Sequence, residues 1–206
     1  MALKNIDELN DMQVDVLREI GNIGSGNAAT SLSGLVGQEI LINVPVVRIL
    51  GFDDAVGCLG GAEKIIAGLL IRIDGDINGM ILYAFGNEFS AAIINTFFGK
   101  SIESVLEMDE MDSSALCEIG NIMAASYVNA LSSMTGLFIN ISPPDLCVDM
   151  AGAVLSVPAV EFAKFGDKVL LIDDSFALGN ETVRSNMILV PEIESLDLLF
   201  NRLGVV

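Results

Sequence analysis

Leu-Arg-Glu-Ile-Gly-Asn-Ile at Leu17 to Ile23 returns as Leu-Cys-Glu-Ile-Gly-Asn-Ile at Leu116 to Ile122. Glu19 recurs as Glu118, Asn22 as Asn121 and, further on, Pro45 as Pro144, each 99 residues later. Without any gap the two copies also agree at Leu32, Ser33, Gly37, Ile40 and Ile42. Self-similarity at a fixed offset is the signature of a duplicated unit, and it decides the fold.

Helical residues advance by about 100° each, so Glu19 and Asn22 share one face while Leu17 points the other way. Asp15 falls in the Glu19/Asn22 stripe one turn earlier. Leu17, Gly21, Gly24, Ala28 and Leu35 form the expected core side. In the second copy Ser114, Glu118 and Asn121 face outward, and Leu116, Gly120, Met123, Tyr127 and Met134 inward. Gly37 and Gly136 stand where a helix end favours a left-handed residue.

These helices are expected to start near Asn5 to Asp11, with Asn5 or Asp7 as cap, and at Glu110; they end near Leu35 and Met134. Glu39 to Leu50 reads as a strand interrupted by Pro45, and Leu137 to Val157 as strand-like around Pro143-Pro144. Phe52 to Glu63 reads as a glycine-rich surface loop, and Lys100 to Asp109 as a polar connector. Ile65 to Ile73 and Met80 to Phe85 form a hairpin across Asp-Gly-Asp-Ile-Asn-Gly. Asn87 to Phe98 and Glu192 to Leu203 read as helices, Val169 to Asp173 and Met187 to Val190 as short strands. The expected fold is a single α+β domain over 1–206 with pseudo-two-fold half-repeats of about 1–105 and 106–206. A mostly antiparallel sheet carries the two long repeat helices on one face.

A hydrophobic fraction of 52% is ample for a core, and a formal charge of −18 with only ten Lys and Arg argues against nucleic acid and anionic lipid as partners. No apolar run is long enough to insert in a membrane and the first residues lack a secretory signal, so a cytoplasmic location is expected. Cys58, Cys117 and Cys147 are odd in number and far apart, and there is no histidine, which argues against disulfides and zinc. The cysteines read as small buried hydrophobes. Gly21-Asn-Ile-Gly24-Ser-Gly26 is not a phosphate-cradling loop, because its glycines lie inside a helical pattern already under way. They serve close packing instead. Hydrolytic triads lack their histidine.

Asp15-x3-Glu19-x2-Asn22-x22-Pro45 and Ser114-x3-Glu118-x2-Asn121-x22-Pro144 resemble the motif of the chemotaxis phosphatases of the CheC, CheX and FliY group, without departure in either copy. The resemblance implies a hydrolase that dephosphorylates the phospho-aspartate of the response regulator CheY. It makes Asn22 and Asn121 the holders of the attacking water, and Glu19 and Glu118 the contacts to a lysine of the regulator. Asp15, Ser114, Pro45 and Pro144 then support the presentation of the motif. No cofactor is expected on this chain, the Mg²⁺ being that of the regulator. The resemblance further implies a partnership with the receptor deamidase CheD, and leaves a non-catalytic module that sequesters phosphorylated CheY or binds CheD as the alternative.

Overall fold

The computed structural model describes residues 6–37, 39–161, 168–178 and 181–205. Two 26-residue helices dominate it, α1 (Asp11–Val36) and α4 (Glu110–Thr135). Their starts are fixed by matching capping boxes. The Asn10 side chain accepts from the Gln13 amide at 3.0 Å while Gln13 accepts from the Asn10 amide at 2.9 Å. Asp109 and Asp112 do the same for α4, and Lys100 pairs with both carboxylates. Asn10 and Asp109 are themselves equivalent positions of the repeat. Asp7 instead lies in a separate 3-10 turn, Ile6–Glu8, and Asn5 is outside the described residues. Gly37 and Gly136 close the helices at φ of 66° and 70°.

Among the described residues eight antiparallel strands make one sheet. After α1 come β1 (Ile40–Ile42) and β2 (Val46–Gly51), both paired with β7 (Lys168–Leu178). After α4 come β5 (Ile139–Ile141) and β6 (Asp145–Met150), both paired with β3 (Ile65–Gly75). Each outer position of the sheet is thus a strand broken in two. Pro45 is buried in the first break and Pro144 half-buried in the second, as residues that cannot donate to the ladder. At the centre, β4 (Gly79–Phe85) pairs with β8 (Glu181–Pro191), Ile81 opposite Leu189 and Leu82 opposite Ile188. The shift that carries Ile81 onto Ile188 also carries Leu82 onto Leu189, so this register is what a two-fold axis between β4 and β8 requires.

The sheet is covered on both faces. In β4, Ile81, Tyr83 and Phe85 join the core beneath α1 and α4, together with residues of α3 (Asn87–Phe98) and α6 (Ile193–Arg202). Met80, Leu82 and Ala84 point the opposite way, into a second core closed by α2 (Phe52–Cys58) and α5 (Ala151–Glu161). This second layer corrects the reading of Phe52 to Glu63 as a loop and, within the strand-like stretch from Leu137 to Val157, of its last part, which from Ala151 on is helix. The apolar residues Ala55, Leu59, Ala151, Val154 and Leu155 gain more from covering the sheet than from extending it. Strands β7 and β8 are longer than the sequence suggested, because pairing with each other carries them past their apolar runs.

Two further expectations fail at the surface. Leu35 and Met134 are 44% and 37% exposed rather than inward. The angle from Leu17 is right, but the buried arc of the helix shifts along its length. At that end Ala29 and Leu32, about 120° and 60° round from Leu17, carry the burial. The cysteines are not buried hydrophobes either: Cys58 and Cys147 are exposed and Cys117 is half-buried, all three as free thiols.

Candidate functional site

Each long helix is seated by small residues. A Cβ on Gly21 would lie 3.3 Å from Val47 Cγ2, and one on Gly120 only 1.9 Å from Cδ2 of the fully buried Leu69. Val47 follows Pro45 by two residues on β2, so the strand that restarts after the proline supports the helix midway between Glu19 and Asn22. A Cβ on Gly24 would meet the ring of Tyr127 on α4 at 2.4 Å and its Cα at 3.2 Å, so glycine is what lets the two helices touch there. Beyond that contact Ser31 and Ser126 hydroxyls bond between the helices at 3.2 Å. These contacts fix which way the helices face.

With Leu17, Ile20, Leu116 and Ile119 sealed in the core, the opposite faces present the motif. Glu19 and Glu118 are exposed, whereas Asn22 and Asn121 are half-buried at the edge of the helix. In the first copy Asn22 Nδ2 reaches Glu19 Oε2 at 3.4 Å. Asp15 also lies in this stripe, tied to Arg18 at 2.7 Å. In the second copy Ser114 is exposed and its hydroxyl donates back to the Glu110 carbonyl at 2.8 Å. Each helix thus brings its own acid, amide and preceding polar residue together. Pro45 and Pro144 stay with the sheet, away from the polar stripe.

The surroundings of the two stripes differ. The position of Arg18 is taken by Cys117, whose thiol burial pushes up, with the charge of Asp145 adding to it. Beneath α1, Ser25 donates to the buried carboxyl of Asp174 at 2.7 Å. Burial raises that carboxyl to about 7, Ser25 pulling it back and Asp173 adding a smaller push. Sequence reading missed this group, since Asp174 lies just past the apolar run of β7 and its partner comes from across the chain. Among the described residues no three Cys, Asp or Glu side chains gather as a metal site would require, and no helix is long and apolar enough to cross a membrane.

The family model described as CheC-like matches residues 12–49 and 111–148, the two helix-and-proline units. A protein named CheY-P phosphatase CheC, from Bacillus subtilis, is 34% identical over 95% of this chain and 96% of its own length. The chain belongs to the CheC-like family. A shorter match covers 46% of the chain at 28% identity, against 63% of a Thermotoga maritima protein named CheY-P phosphatase CheX. The crystal structure of Thermotoga maritima FliY has the same fold, with a TM-score of 0.76 at 24% identity over 96% of this chain and 98% of that one. The matched segments are those on which the CheC-like motif residues lie.

Proposed function

We propose that this chain is a hydrolase of protein aspartyl phosphate, acting on the phosphorylated response regulator CheY through the outward faces of α1 and α4. The observation that carries the reading is the pairing of one acid and one amide on each of two helices whose opposite sides are sealed into the core. Such a face cannot enclose a substrate. It can insert beside a phosphoryl group that another protein already holds.

Phosphoryl transfer needs positioning and charge stabilisation more than covalent help. The carboxamide of Asn22 or Asn121 accepts through Oδ1 and donates through Nδ2, so it can hold one water in line with the phosphorus–oxygen bond. That water supplies the oxygen of inorganic phosphate, and the regulator's aspartate is regenerated as a carboxylate. The regulator's own Mg²⁺ neutralises the phosphoryl oxygens. Glu19 or Glu118, one turn earlier, pairs with a lysine of the regulator and sets the depth of docking. Half-burial of the asparagines beside exposed glutamates suits these roles, since a water-holding amide gains from a fixed rotamer. Asp15 and Ser114 extend the polar stripe by one turn, and the prolines belong to the fold that presents the helices. The reading places the protein in the cytoplasm with its regulator, and includes the receptor deamidase CheD as a second partner, to be sought by co-purification.

Phosphate release from the phosphorylated regulator is the direct test. N22A and N121A should each leave residual activity and the double variant almost none. A wild-type chain that binds the phosphorylated regulator without releasing phosphate would replace the enzyme by a sequestering module.

A further inference from the structure

Met12 and Met111 are equivalent positions of the repeat, and they are exposed to the same degree, 64% and 65%. Scattered exposed apolar residues are ordinary on protein surfaces. This pair is not scattered. Of the residues from Asp11 to Val16, Met12 alone is identical in the second copy, where Glu110, Asp112, Ser113, Ser114 and Ala115 replace the others. No packing accounts for it, because neither methionine belongs to a core.

The helix geometry shows where the methionines point. Asp15, Glu19 and Asn22 lie about 60°, 20° and 80° round the helix from Met12, all on the same side. The same holds for Met111 with Ser114, Glu118 and Asn121. Leu35 and Met134 are also equivalent and exposed, but they lie about 140° round from Met12 and Met111, off the stripe. From Met12 to Asn22 is about 15 Å along the axis, within the footprint of a partner about 30 Å across. The methionine side chain is unbranched and adaptable, suited to a contact that must form and release.

Resting on the phosphatase reading, we infer that Met12 and Met111 are docking residues for the phosphorylated regulator. Each seats in an apolar patch of the regulator that borders its phospho-aspartate pocket. The acid and amide meet the polar centre of the interface, and the methionine closes its apolar end. It touches neither phosphorus nor water, so it contributes to binding and not to the chemical step.

Steady-state phosphate release by M12Q/M111Q and M12L/M111L, with N22A/N121A alongside, tests this. The glutamine pair should raise KM for the phosphorylated regulator about tenfold, as expected when a methionine's apolar area is left unburied, with kcat unchanged. The leucine pair should restore KM to near its wild-type value. Unchanged KM in the glutamine pair, or a fall in kcat alone, would overturn the inference. So would light scattering showing that the glutamine pair dissociates a wild-type dimer, which would assign the methionines to a second copy of this chain. If the wild-type chain releases no phosphate, the phosphatase reading itself fails; if N22A/N121A keeps full kcat, the water-holding role of the asparagines fails. If N22A/N121A loses kcat while M12Q/M111Q is indifferent, only the docking inference fails.

Discussion

Gly24 and Gly26 lie two residues apart on the same helix, and replacing each by alanine isolates the cost of the helix contact. At Gly26 a Cβ meets nothing within 4 Å. At Gly24 it meets Tyr127 Cδ2 at 2.4 Å and, less yieldingly, the Tyr127 Cα at 3.2 Å. Both substitutions gain the helix preference of alanine over glycine, about 0.5–1 kcal/mol. G26A should therefore be more stable than the natural protein by that amount. G24A adds an overpacking cost of about 1–3 kcal/mol, since the ring is buried and the backbone of α4 would have to retreat. The propensity term cancels between the two variants, so their difference reads the contact alone. Urea unfolding followed by far-ultraviolet circular dichroism measures it as a difference in midpoint at unchanged slope. If G24A and G26A unfold at the same urea concentration, the close approach of α1 to α4 is wrong, and with it the orientation of the Glu19/Asn22 face.

E19A/E118A should weaken binding of the regulator carrying a phosphoryl analogue, and E19K/E118K should weaken it further by setting like charges together; equal affinity in all three proteins would remove the acid from docking. Asp174 gives a pH signature: its carboxyl is raised from 3.8 to about 7, so the folded protein holds a proton that the unfolded chain has released. Stability should accordingly fall as pH climbs from about 4 to about 7, by up to about 4 kcal/mol from this group. D174N, which keeps an acceptor for Ser25, should lose that slope in urea titrations across the same range. N10A and D109A should each cost about 1 kcal/mol, read from thermal melts, by removing the cap of one long helix.

The repeat made the long helices, the broken outer strands and the polar face of each helix legible, because a fixed offset leaves register and face no freedom. The same offset could have found the caps, since Asp109 stands before the second helix and its equivalent is Asn10, not Asn5 or Asp7. The second helical layer was harder to see. Ala-Val-Gly-Cys in α2 and Gly-Ala-Val-Leu in α5 are short and weakly periodic, and a proline, Pro158, lies inside α5. Yet the unbroken apolar runs of β4 and β8 carried the signal, for a sheet with one wet face would alternate and these do not. The exposure of the cysteines was not readable at all. It depends on where β6 and α2 sit relative to their edges, which no local pattern encodes.

The β4–β8 seam joins two half-sheets that can each form without the other. The hairpins β3–β4 and β7–β8 close short loops, whereas the seam, like the pairing of β1 and β2 with β7, joins segments about a hundred residues apart and is slow to close. Until then, each half-sheet ends in a strand whose alternate residues are apolar on both faces and whose backbone donors and acceptors are unpaired. Such an edge accepts another copy as readily as its own other half. Crowded refolding should therefore yield dimers exchanged through β4 and β8, in which the half-sheet of one chain is completed by the opposite half of its neighbour.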